Sequence, residues 1–406
     1  MRNACKWPLS REDRRVLTAC TLVCKSWLPL AQSLLYYSVI VKSGRNYPSR
    51  NPGTFRSKAL LQQSHILEFT RSLSIYVRGK SAATVPLSSE DDSLKGNQTH
   101  HRIPEFFYLL AHTPKLRYLD LSVHLALKNI CPFEPHIQDW LLSLALPIEA
   151  LDIDIWQFFD LRSTFPYDLV GIWPTIRALR LSTIENNGPL PERPNINLRE
   201  LRLPHSHSVS VIKWLLPPPL PNQQSNLLFL ELDHITEEVR AVLSVHGNSV
   251  STLALVTQPS FEIARLFTRL EELVIIGPFW GSPLPALPRT LKHIRLVRGP
   301  VSISFAAAVV RVVPMLPELR VISIEESFTH EHYPDLKEVC EAHRVEILVS
   351  SLDSSGRPVV SAYQSPNMSA MSITEECHKH AYHAEMDRFP RQYTFSEFFD
   401  SDDQSL

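Results

Sequence analysis

Aliphatic residues recur along this chain in the spacing L-x-x-L-x-L, with Ile and Val standing in for Leu, nine times between residues 116 and 324. The copies are Leu116-Leu119-Leu121, Ile148-Leu151-Ile153, Ile176-Leu179-Leu181, Leu198-Leu201-Leu203 and Leu227-Leu230-Leu232, then Val250-Leu253-Leu255, Leu270-Leu273-Ile275, Leu291-Ile294-Leu296 and Leu319-Ile322-Ile324. A weaker copy, Leu73-Ile75, precedes them, and the apolar run Val345 to Val349 reads as a last one. The middle anchors stand 32, 28, 22, 29, 23, 20, 21 and 28 residues apart. Side chains alternate between the faces of a strand, so the fourth and sixth positions point one way and the third, fifth and seventh the other. One such strand buries its apolar face only when neighbours stack on it. A period of about 20–29 residues therefore predicts one curved parallel sheet from about Ser64 to Ser350, one strand per repeat.

The segments between the strands predict helices or turns on the outer side. Thr236-Glu-Glu-Val239 has an N-cap and an acidic first turn, with Gly247 where the helix should stop. Further helices are expected near Pro104–His112, His136–Leu146, Phe261–Arg269, Ile303–Val313 and Asp335–His343. The pattern resembles the leucine-rich repeat, which implies an α/β fold: an irregular leucine-rich-repeat solenoid with a curved parallel sheet and helices and loops on the convex side. The family's asparagine three residues after the sixth position is replaced here by His124, Trp156, Ile184, Ser206, Ile235, Gln258, Pro278, Gly299 and Ser327, so a regular asparagine ladder is absent.

If the fourth and sixth positions face the core, the fifth forms a column on the concave face: Asp120, Asp152, Arg180, Arg202, Glu231, Ala254, Val274, Arg295, Ser323. Flanking columns add Tyr118, Asp154, Phe229, Asp233 and Ile276. Mixed charge with aromatic and arginine anchors suits a protein surface, and the acids would repel phosphates. The candidate target-binding set is Tyr118, Asp120, Asp152, Asp154, Arg180, Arg202, Phe229, Glu231, Asp233 and Arg295. Exposed charges contribute little to folding, so reversing Arg180 and Arg202 is expected to weaken binding without loss of stability.

Residues Asp13–Leu28 predict an amphipathic helix with Val16, Leu17, Cys20, Cys24, Trp27 and Leu28 on one stripe, ended by Pro29. A second short helix is expected to run through Leu35 to a strand at Val39-Ile40-Val41. The wording Leu17-Thr-Ala-Cys-Thr-Leu-Val-Cys-Lys-Ser-Trp-Leu-Pro-Leu-Ala31, continuing to Leu34-Leu35-Tyr36, is similar to the second half of an F-box, above all its Val23–Trp27 core. The first F-box helix has no counterpart in Met1–Leu9. The resemblance implies that Leu17, Leu22, Val23, Cys24, Trp27 and Leu30 contact a Skp-type adaptor of a cullin–RING ubiquitin ligase, while the repeats select the target protein. The domain plan is then 1–41 partial F-box, 42–64 basic linker, 65–350 repeats and 351–406 a mostly disordered polar tail.

Composition narrows the function. Glycine is scarce (11) and proline abundant (32), and there is no Walker loop, G-x-G-x-x-G or G-x-S-x-G. Net charge is −1, which draws the protein neither to nucleic acid nor to an anionic membrane. The six cysteines form no C-x-x-C pair, and the N-terminus has no apolar h-region, so a cytosolic or nuclear setting is expected. His330-Glu-His-Tyr-Pro334 puts proline where H-E-x-x-H needs its second histidine, and the cluster Cys377, His378, His380, His383 lies in the polar tail without a second ligand pair. Asp152-Ile-Asp154 falls in a repeat strand, where a binding surface is favoured over metal chemistry. Lys42, Arg45, Arg50, Arg56 and Lys58 sit among Gly, Pro, Ser and Asn and read as a solvated linker. No cofactor, metal or catalytic set is expected. The function predicted is substrate recognition in an SCF-type (Skp–cullin–F-box) ligase, with a leucine-rich-repeat scaffold unconnected to ubiquitin transfer as the alternative.

Overall fold

The computed structural model describes residues 18, 28–43, 54–55, 60, 64–79, 84–86, 102–125, 135–157, 165–183, 190–219, 224–233, 235–256, 261–276, 287–297, 303–325 and 333–350. The nine strands anticipated from the repeat are β6 (Tyr118–Leu125), β7 (Ala150–Gln157), β8 (Ala178–Thr183), β9 (Glu200–Leu203), β10 (Phe229–Leu232), β11 (Thr252–Val256), β12 (Glu272–Ile276), β13 (His293–Val297) and β14 (Val321–Glu325). They lie side by side, in chain order and all parallel, in a sheet of 13 strands. The weak first copy is β3 (Ser72–Gly79), and the terminal apolar run is β15 (Glu346–Ser350).

The sheet also begins earlier than the span 65–350. Strand β1 (Ser38–Ser43) pairs with β3, and β2 (Thr54–Phe55) adds an outer rung. Thus Val39-Ile40-Val41 belongs to the solenoid, and the basic 42–64 segment contributes a strand to it. Between β3 and β6, β4 (Thr84–Pro86) and β5 (Arg102–Pro104) form an antiparallel pair.

Register follows the pattern. The middle anchors stack as Leu73, Leu119, Leu151, Leu179, Leu201, Leu230, Leu253, Leu273, Ile294, Ile322 and Ile347. All but the half-buried Ile347, which packs against it, belong to one hydrophobic cluster that runs from Val39 to Val345. A backbone ladder also runs along the strand entrances. One carbonyl per rung accepts two backbone N–H groups from the next: Arg71 O takes Arg117 and Tyr118, Arg117 O takes Glu149 and Ala150, and the series continues to Lys292 O with Arg320 and Val321. Backbone groups at the strand entrances are thereby satisfied without a side chain.

The convex side is built from short helices. Thr236 caps Glu237–Ser244 as anticipated, its hydroxyl accepting from Val239 N at 3.2 Å. Pro135–Ser143, Ile303–Val312 and Tyr333–His343 fall where helices were expected, but Phe261–Leu266 is a 3-10 turn only. The helices Phe165–Ile172 and Val209–Leu215 had too short an apolar period to be anticipated. Gly247 plays another role than a helix stop. A Cβ there would lie 2.2 Å from the Leu266 carbonyl oxygen, so glycine permits the next repeat to approach.

Candidate protein-binding face

The register makes Ser74, Asp120, Asp152, Arg180, Arg202, Glu231, Ala254, Val274, Arg295 and Ser323 successive neighbours at the fifth position. Burial was not legible from the pattern. Asp120 is 5% exposed, Asp152 2% and Glu231 6%. The Arg180 and Arg202 side chains retain 24% and 13% of their surface. The expectation that these charges are exposed is therefore corrected.

The charges are held by pairing. The Tyr76 hydroxyl donates to Asp120 Oδ2 at 3.1 Å. Arg180 Nη1 donates to Asp152 Oδ2 at 3.4 Å. Arg202 donates through Nε to Glu200 Oε1 at 2.5 Å, pairs through Nη1 with Glu231 Oε2 at 3.6 Å, and lies 4.3 Å above the centre of the Phe229 ring. Arg180 and Arg202 are direct register neighbours, a placement that like charges oppose. The two guanidiniums turn apart, one toward Asp152 and the other toward Glu231, so each gains an acid. Burial disfavours the charged form of Arg180, but Asp152, Glu231 and Asp154 outweigh it and hold its pKa above the ordinary arginine value.

The other anticipated residues take different places. Tyr118 is buried across Ala150 and Ala178. Phe229 packs with Ala254, Val274 and the half-buried Ile276. Asp154, Asp233 and Arg295 are half-buried. Asp154 stands at the seventh position of β7, on the same face as Asp152 and opposite Ser122 of β6. Sequence reasoning missed Tyr76, which sits one column beyond the weak Leu73-Ile75 copy, and Glu200, the third position of β9. It also missed His293, which bonds Glu272 at 3.1 Å and Ser323 at 2.8 Å. Reading the third column rung by rung would have found both Glu200 and His293. No sequence signal identifies His205, which lies beyond the end of β9 and whose pKa burial lowers, against the opposing pull of Asp233.

Leu17, Leu22, Val23, Cys24 and Trp27 of the F-box-like segment lie outside the described residues, as do His330 and the Cys377–His383 cluster. Leu30 falls in the helix Leu28–Leu35. Among the described residues no group of three or more His, Cys, Asp or Glu is placed to hold a metal ion, and no helix is long and apolar enough to cross a membrane.

No family model and no curated protein matches this chain. Among solved structures it is similar to the leucine-rich repeat-containing protein LegL7 from Legionella pneumophila, at 16% identity and a TM-score of 0.33, over 68% of this chain and 86% of that one. The fold rests on the molecule's own geometry. Among the described residues, thirteen parallel strands that run in chain order from β3 to β15 with β1 and then β2 beyond β3, one core and register-aligned aliphatic anchors make this an irregular α/β solenoid of the leucine-rich-repeat type.

Proposed function

We propose that this chain binds another protein on its concave face, and that it does so as the substrate-recognition subunit of an SCF-type ubiquitin ligase. The observation that carries the binding reading is the register: ten rungs present one continuous face on which Arg202, stacked over the buried Phe229, with Asp154, Asp233 and Arg295 reach solvent beside an apolar step at the buried Val274 and half-buried Ile276. Arginine and aromatic anchors flanked by charge are the composition of protein-binding hot spots. The Val23–Trp27 resemblance supports the ligase half of the reading, with Leu17, Leu22, Val23, Cys24, Trp27 and Leu30 toward a Skp-type adaptor. Reduced cysteine, as in the buried thiol of Cys340, suits a cytosolic or nuclear setting.

Co-purification of the full chain with a Skp-type adaptor is the test. Stoichiometric capture that is lost in Trp27→Ala supports the ligase reading, and failure of the parent chain to bind sinks it. One observation favours the alternative, a scaffold without ligase connection. The helix Leu28–Leu35 packs on Ser64–Phe69 with Ala31 buried and leads directly into β1, so this end of the segment already caps the solenoid. Under that reading Trp27→Ala lowers the melting temperature and changes no partner.

A further inference from the structure

The second positions of the repeats form a row outside the concave face, along the edge where the strands begin. The shared-carbonyl ladder places these residues one rung apart: Arg71, Arg117, Glu149, Arg177, Arg199, then Leu228. Neighbouring strands stand about 4.8 Å apart, so four arginines occupy five consecutive rungs over roughly 19 Å. Arg117, Arg177 and Arg199 are exposed, as is Lys115 beside them. Arg177 and Arg199 have no ion-pair partner among the described residues, while Arg117 reaches Glu149 only at 3.9 Å. The second half of the row differs. Ser251, Glu271, Lys292 and Arg320 follow, and Lys292 is paired with Glu271 at 2.9 Å. Positive charge is therefore concentrated along the edge of β3–β9, in a protein whose net charge is −1.

We propose that this edge is a second docking surface, separate from the concave face, and that it takes an extended acidic segment of a partner protein. Charge complementarity selects the sign of the partner. The ladder holds the arginine backbones at strand spacing, and their guanidinium forks can pair with carboxylates bidentately. An extended peptide presents same-side residues about 6.8 Å apart, so a run of about seven residues with alternating Glu or Asp spans the stripe. A nucleic-acid strand fits less well. Glu149 interrupts the row and repels a continuous phosphate backbone, whereas an alternating peptide, its same-side carboxylates about 6.8 Å apart, sets the gap between two of them over it. The row also contains no aromatic side chain on which a base would stack.

Fluorescence anisotropy with the full-length chain tests this, using as probes a labelled 12-residue Glu-Ser repeat peptide, its Lys-Ser counterpart and a 12-nucleotide oligouridine. The acidic peptide is expected to bind and the basic one not. Binding should weaken at least tenfold in Arg177→Glu/Arg199→Glu and several-fold between about 50 and 300 mM salt. Glu149→Gln should strengthen it, because the one opposing charge is gone. Both variants change exposed or half-exposed positions, so an unaltered melting curve verifies the fold. Absence of acidic-peptide binding, unchanged affinity in the double variant, or tighter binding of oligouridine each overturns the proposal. None of these outcomes bears on the adaptor or on the concave face, which different residues form.

Discussion

Strands β6–β10 and β11–β14 share one convex core and differ on the concave side. In the first group the fifth column is charged at every rung, and each charge has a partner contributed by a neighbouring strand. In the second it reads Ala254, Val274, Arg295 and Ser323, and an apolar patch forms with Phe229 at the junction. Both solutions keep the face compact. The charged one depends on complementary neighbours, because a partly buried guanidinium or carboxylate that loses its partner retains its desolvation cost. The apolar one depends only on area and shape. The charged half is thus the more specific and the less tolerant of substitution.

The strongest test concerns what the halves have in common. Leu201 and Leu253 are both fully buried at the fourth position, one in each half. Leu201→Asp and Leu253→Asp should each cost several kcal/mol and unfold the array, seen as loss of far-ultraviolet dichroism. A native spectrum and melt in only one variant would show that the halves do not share a core.

Next in size is the difference between them. Arg180→Glu/Arg202→Glu strands Asp152, Glu200 and Glu231, and should destabilise by about 3–5 kcal/mol in denaturant melts. Val274→Ala in the apolar half should cost about 1–2 kcal/mol. Equal losses would abolish the distinction. Gly247→Ala, on the convex side between the two halves, drives a Cβ into the Leu266 carbonyl and should cost about 1–3 kcal/mol.

A smaller effect is pH-dependent. Burial lowers the pKa of His246, against the pull of the Leu216 carbonyl, and burial likewise lowers His205. A histidine whose folded pKa lies below the unfolded value of 6.5 binds its proton first in the unfolded chain. Its contribution to stability is present above pH 6.5 and is lost as pH falls toward the folded pKa. His246→Gln should flatten the melting-temperature profile below pH 6.5, and an unchanged slope would exclude this histidine as the cause.

The smallest expected change is a gain. Arg344, after the helix Tyr333–His343, has φ 57°, and Val345 N bonds Cys340 O at 2.8 Å to close the helix end. A left-handed non-glycine residue costs about 1–2 kcal/mol and glycine's extra chain entropy about 0.5–1, so Arg344→Gly should stabilise by about 0.5–1 kcal/mol. A lower melting temperature would show that the Arg344 side chain holds a contact worth more than the strain.

Strand positions, order and the inward or outward direction of each residue were legible from residue types alone. Period two and a repeat near 20–29 residues leave the anchors from Leu119 to Ile322 one way to share a core. The fifth column was legible for the same reason. The outermost rungs β1 and β2 were assigned to other segments, because Tyr36 and Arg50 stand where the repeat has its first aliphatic and the full spacing is lost there. Only the tertiary structure decided which outward residues are buried and what they meet. Tyr76 and Asp120 are 44 residues apart, and Arg180 and Asp152 are 28 apart. Pairing over such separations is fixed by rung register and local curvature, which single-strand alternation does not encode. The basic edge was hidden likewise, since Arg71, Arg117, Arg177 and Arg199 become neighbours only when the carbonyl ladder stacks their rungs.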